Sequence, residues 1–176
     1  MTQSERKILQ SLDEAVHHAT IQTLLPPVIR RVRQQLAERT DAVMAWEPIP
    51  LSAFDRKLPV GIESAWVFIL RAGSNTGAER HPNSHQRMMS FVGSGDLQTR
   101  PDLKQPWKSN VLVSDPAKSL DERWISIPPN VWHQPVIGPT EDWVVVSFHT
   151  VPPNELIEER PDDATEGSTK QMRYLD

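Results

Sequence analysis

No cysteine occurs among the 176 residues. That absence excludes disulfides, thiolate zinc sites, iron–sulfur clusters and a cysteine nucleophile, so any metal must be held by nitrogen and oxygen. Also lacking is a run of about 18 apolar residues of the kind that spans a bilayer. The N-terminal stretch MTQSERKILQSLDEAVHHA has no apolar segment resembling a secretory leader. A cytoplasmic protein with no membrane partner is the expectation. Positive charge is not in excess either. The formal net charge is -4, and residues 154–176 hold seven acids against three bases, which leaves 16 of each sign elsewhere. A neutral body offers no basic face to phosphates, which argues against a nucleic-acid partner.

What is present divides into three stretches. From Ser4 to about Thr23 the residues Ile8, Leu9, Leu12, Val16 and Ala19 recur at helical spacing, with Ser4 placed as the cap. Pro26 and Pro27 suit the first turn of a second helix, whose face carries Val28, Ile29, Val32 and Leu36. Residues 1–40 therefore read as a helical hairpin, with Arg30, Arg31 and Arg33 on its solvated side. After Thr40 short apolar runs alternate with turn residues, and strands are expected at 43–47, 64–72, 86–93, 109–113, 123–127, 131–137 and 142–149. With no helix between them, residues 41–152 predict an antiparallel, all-β sandwich or barrel. Residues 153–176 are acidic and poor in apolar side chains, and read as a disordered or loosely packed tail.

Chemistry concentrates in GAERHPNSHQRMMSFVGSG, residues 77–95. Glu79 and His81 are two apart, so on a strand they share a face and can converge on one ion. Pro82-Asn83-Ser84 is a turn signal, after which a returning strand brings His85 and Gln86 alongside. Alternation sends one of that pair inward and the other out; a one-residue bulge would exchange them.

Counting from Gly73, the pattern is five residues, Glu79, one residue, His81, four residues, Gln86, six residues, Gly93. It resembles the first signature of the cupin superfamily, with Glu79 in place of the first histidine and Gln86 in place of the glutamate. Downstream, IPPNVWHQPVIG resembles the second signature through Pro128, Asn130 and His133, with asparagine replacing glycine at the turn. Glu122 and Ile137 depart from the glycine and asparagine that bound that signature. The resemblance spans about residues 64–150. It implies a cupin double-stranded β-helix, or jelly-roll barrel, behind the N-terminal helical hairpin. It also implies that His133 arrives beside Glu79 and His81, with Gln86 as a weak fourth donor and His85 as the rival ligand.

Two imidazoles and one carboxylate suit one divalent transition metal, ferrous iron first and manganese, nickel or zinc next. In effect the carboxylate has moved from position 86 to position 79. The family spacing favours Gln86 inward, which also turns Met88 and Ser90 to the lumen as candidate substrate contacts. Arg71 shares the parity of Glu79 and His81 and can pair with an anionic substrate. His149 is a candidate supporting base. Trp66, Trp124, Trp132 and Trp143 read as core fillers. A mononuclear dioxygenase acting on a small organic molecule, as a homodimer, is the leading expectation. A sensory or ligand-binding cupin without turnover is the second. A 2-oxoglutarate-dependent hydroxylase ranks third, because the acid precedes the histidine and residues 139–150 contain no arginine or lysine.

Overall fold

The computed structural model describes residues 1–55, 57–162, 168–173 and 175. Among them the α-helices are α1 (Gln3–Val16), α2 (Ala19–Glu38) and the single turn α3 (Leu120–Arg123), with a 3-10 turn at Leu51–Ala53. The strands are β1 (Met44–Ile49), β2 (Ser64–Leu70), β3 (Gln86–Val92), β4 (Ser94–Arg100), β5 (Val111–Val113), β6 (Trp124–Ile127), β7 (Trp132–Ile137), β8 (Trp143–His149), β9 (Ile157–Pro161) and β10 (Thr169–Arg173). Every expected strand forms. β4 is an addition, because SGDLQTR has one large apolar residue, Leu97; it forms by pairing with β5 on one side and β7 on the other.

All strand pairings are antiparallel. A five-stranded sheet of order β1-β2-β8-β3-β6 packs against a three-stranded sheet of order β5-β4-β7, and β9 and β10 pair separately. The result is an all-β jelly-roll barrel with the two N-terminal helices laid on the outside of the larger sheet. This covering explains why β2 and β8 are buried at every position instead of alternating with water. Ala65, Val67 and Ile69 of β2 and Val144, Val146 and Phe148 of β8 join Leu9, Leu12, Leu25 and Val32 of the helices in one cluster. The intervening Trp66, Phe68, Leu70, Trp143 and Val145 face the lumen, where they meet Leu97, Leu112 and Ile137 of the smaller sheet.

Trp143 crosses the lumen so closely that a Cβ on Gly95 of β4 would lie 2.1 Å from its ring. No helix among the described residues is long and apolar enough to cross a membrane.

The helical hairpin differs from expectation at its joint. Thr2, not Ser4, caps α1, accepting from Glu5 N at 3.2 Å. The chain breaks at His17 and His18, and Pro26 and Pro27 lie inside α2. Their missing N–H groups deprive only Gln22 and Thr23, both exposed to solvent, of helical donors, while Ile21 and Leu25 extend the buried stripe one turn upstream.

Residues 155–161 are likewise not a loose tail. Leu156 is fully buried, and Glu158 and Glu159 are buried acids. They are acids with partners: Arg80 donates to Glu159 at 2.8 Å, and Arg160 pairs with Glu158. Residues 163–167, 174 and 176 of the expected tail lie outside the described residues.

Two carboxylates dock α1 onto the sheet. Glu5 accepts both Arg87 bonds, at 2.7 and 3.0 Å, and Asp13 accepts two from Arg123 and one from the Trp124 indole. Burial opposes charge on each, but the guanidinium and hydrogen-bond partners prevail and hold both carboxyls below their ordinary range. The unfolded chain therefore binds protons that the folded one refuses. Stability is full above the ordinary carboxyl range and falls as pH drops below about 4; urea midpoints measured across that range are expected to decline less steeply in Asp13→Asn. Gly95→Ala is expected to cost about 3 kcal/mol in the same assay, because the Trp143 ring has nowhere to move.

Candidate metal centre

Glu79 and His133 face each other across an antiparallel bridge and exchange both main-chain hydrogen bonds, at 2.9 and 2.8 Å. Residues so paired project their side chains to the same face, which brings them together regardless of their separation in sequence. His81 follows two positions after Glu79. Its carbonyl accepts from Asn130 N at 3.1 Å, in a turn where Asn130 takes a left-handed φ of 65°. Asparagine tolerates that conformation, so the departure from glycine leaves the turn intact.

The three residues are buried, and one donor atom from each lies within 4.8 Å of the others. Both imidazoles are held by main-chain carbonyls. His81 Nδ1 donates to Ile157 O at 2.9 Å, and His133 Nδ1 donates to Val131 O at 3.2 Å. Since a carbonyl only accepts, both rings carry a proton on Nδ1 in this arrangement and turn Nε2 to the lumen. Burial, reinforced by His133, pushes His81 down to about 4, so its ring is neutral at pH 7. For Glu79 burial alone would favour the neutral acid, but His133, Arg160 and His81 hold it below its ordinary value.

The residues fit a cation. His133 Nε2 lies 3.4 Å from Glu79 Oε1 without meeting hydrogen-bond geometry, and it has no other partner. A carboxylate oxygen and an imidazole nitrogen facing each other in a buried site call for a positive species between them, a proton or a metal ion. Gln86 supplies a second unsatisfied atom, Oε1.

Gln86 is turned that way by a polar chain. Its amide N–H donates to Ser147 Oγ at 3.1 Å, Ser147 reaches His149 Nε2 at 3.1 Å, and His149 Nδ1 reaches Ser84 Oγ at 3.2 Å. Both nitrogens of His149 are thus engaged. Burial first, then His81 and His133, lower its proton affinity well below the ordinary value. It supports Gln86 and lies edge-on to His81, with ring centroids 5.1 Å apart.

The structure does not bring the remaining candidates to this point. His85 faces the helices, with Nε2 2.7 Å from Ser126 Oγ and 3.8 Å from Glu5; the register shift in β3 falls between Ser90 and Val92, beyond this pair. Met88 does line the lumen cavity. Ser90 does not: its hydroxyl is held between the Trp143 indole and Gly93 O, away from the ligands. Arg71 is also corrected. It donates to the carbonyls of Ala42, Leu36 and Arg39, closing the end of α2. In β2 the even-numbered residues face the lumen, and the turn at Gly73 and Gly77, both at positive φ, breaks the parity that linked Arg71 to Glu79.

Arg160 was not foreseen. It comes from the supposed tail, and its only trace in the sequence is an opposite charge two positions earlier, Glu158.

The cavity at the centre is ≈ 20 Å³, bounded by Glu79, Gln86 and His133 on one side and by Phe68, Met88, Leu97 and Val145 on the other. That is room for about one water. A larger cleft of ≈ 550 Å³ opens between the start of α1 and β6, but it contains none of the three ligand candidates.

No family model matches the chain, and no curated protein matches it. Solved structures do. The capsular polysaccharide assembling protein CapF from Staphylococcus aureus aligns with TM-score 0.50 at 16% identity, over 65% of this chain and 31% of that one. The coconut allergen cocosin aligns at 0.49 and 16% over 66% of this chain and 28% of its own, and oxalate oxidase in complex with a substrate analogue, glycolate, at 0.44 and 19% over 60% and 50%. This chain spans under a third of the length of the CapF and cocosin chains. At such identities likeness speaks to fold alone, and the CapF alignment carries it: the fold is that of the cupins.

The chain from Gln86 to Ser84 has a measurable consequence. Ser147→Ala removes one hydroxyl and leaves Gln86 and His149 each short of a partner in a dry site. About 2 kcal/mol of stability is expected to be lost, read by urea denaturation of the metal-free protein.

Proposed function

We propose that the protein is a metal-dependent cupin enzyme acting on a small organic substrate, with mononuclear dioxygenase chemistry on ferrous iron as the best reading. The observation that supports it most is the convergence of Glu79, His81 and His133, buried, with His133 Nε2 unpartnered. Two nitrogens and one carboxylate oxygen gathered on one side leave coordination positions open, the arrangement that suits ferrous iron. Such an ion, when bound, supplies Lewis acidity and one-electron chemistry toward dioxygen.

The chain's own residues do the rest. Glu79 neutralises part of the ion's charge, and the carbonyls of Ile157 and Val131 keep both rings from rotating. Gln86 Oε1 offers an acceptor to a substrate hydroxyl or to water. Phe68, Met88, Leu97 and Val145 keep the centre dry, which strengthens each electrostatic contact inside it. Because the cavity is ≈ 20 Å³, only the reactive head of a substrate enters without movement of the wall. That same narrowness favours a second reading, a cupin that binds a metal or small ligand without turnover.

Elemental analysis of protein purified without chelator tests the first reading. One equivalent of transition metal is expected, falling tenfold or more, on the order of a lost ligand, in His133→Ala and Glu79→Ala. A native chain that carries no stoichiometric metal and takes none up from ferrous or manganous salts would sink it. Nitric oxide added to the iron-loaded protein separates the two readings: a new paramagnetic signal marks an open position, and its absence favours the non-catalytic one.

A further inference from the structure

The Glu79 carboxylate is shared between two elements. Its Oε1 is turned toward His133, whereas its Oε2 accepts from Arg160 Nη2 at 2.7 Å. Arg160 belongs to β9, and its other donors are directed elsewhere: Nη1 to Thr76 O at 2.6 Å and Nε to the Glu158 carboxylate. Glu158 is 2% exposed and Glu79 6%. Carboxylate, guanidinium and carboxylate thus form a row, its two carboxylates buried and Arg160 half-buried between them, with a net charge of one negative. Glu158 offsets the guanidinium, so the negative charge of Glu79 remains available to a cation.

We propose that Arg160 is a positioning residue of the centre: by occupying Oε2 it presents Glu79 through Oε1 alone, so β9 sets how tightly the ion is held. The inference rests on the metal reading above and adds a residue and a segment outside the sequence signatures. A carboxylate free to rotate can approach an ion through both oxygens and fill a position that substrate needs. Held at Oε2, Glu79 gives one oxygen and leaves that position open. Lysine cannot substitute, because three acceptors in different directions need the planar fork of a guanidinium.

β9 itself is anchored independently of Glu79. Arg80 and Glu159 exchange main-chain hydrogen bonds at 3.0 and 2.9 Å, and the Arg80 side chain joins Glu159 and lies over the Trp132 ring. Loss of position can therefore be told from loss of docking.

The experiment is Co(II) titration by calorimetry and absorption on the full chain, Arg160→Lys and Arg80→Lys, with thermal melts of each. Arg160→Lys keeps the charge, yet is expected to weaken Co(II) about 10- to 100-fold and to alter the ligand-field bands of the bound ion. Arg80→Lys loosens the same strand and is expected to leave affinity within about twofold and the bands unchanged, since it does not reach Glu79. Equal weakening in both variants overturns the proposal, as does an Arg160→Lys chain that binds like the unsubstituted one. Absence of Co(II) binding by the unsubstituted chain overturns the metal reading itself, and this inference with it. Should Arg160→Lys fail to melt cooperatively, Glu158→Gln reads the same row from its other end. With the guanidinium no longer offset, weaker Co(II) binding is expected, and unchanged affinity overturns the proposal.

Discussion

The two-residue period of a sheet buried on both faces is the constraint on which everything else rests. Because α1 and α2 cover the outside of the larger sheet, no strand in its middle has a solvent face to which polar groups can be sent. Each odd–even choice in β2, β3 and β8 is then a choice between a helix contact and a lumen contact. In β3 that choice sends Arg87 and Met89 to the helices and Gln86 and Met88 to the lumen. In β8 it sends Phe148 one way and Ser147 and His149 the other.

Polar groups placed in such a lumen must find partners there, and the chain meets this requirement in two ways. Gln86, Ser147, His149 and Ser84 are joined in one row of hydrogen bonds that leaves only Gln86 Oε1 without a partner. Glu79, His81 and His133 do not close among themselves. Their rings are anchored from behind by carbonyls of Ile157 and Val131, and in front His133 Nε2 is left without a hydrogen-bond partner beside the Glu79 carboxylate. That contrast gives the centre its chemical meaning: beside a linked row of neutral groups lies a charged set of the type a cation completes.

Much of this is legible from residue order. Apolar runs broken by turn residues mark seven strands, and the helical periodicity of Leu9, Leu12 and Val16 marks α1. The spacing of Glu79 and His81 puts them on one face before any tertiary contact is known. Polar β4 escapes such reading because its strand character comes from the neighbours that pair with both of its edges. The joint between α1 and α2 escapes it because proline signals a helix start as readily as an interior position whose lost bonds fall to solvent. Residues 155–161 escape because their acids look solvated until Arg80 and Arg160 are brought beside them.

By itself, then, the sequence determined the antiparallel all-β class, the N-terminal pair of helices and the local sidedness of the candidate ligands, because hydrophobic period and turn chemistry act over a few residues. Only the tertiary structure decided that Glu79 meets His133 across a bridge, that Arg71 closes a helix end instead of facing the lumen, and that Arg160 reaches Glu79 from 81 residues away. Those outcomes depend on which strand edges pair and on where buried charges find their counter-charges. Both are settled by packing over distances that no local pattern records.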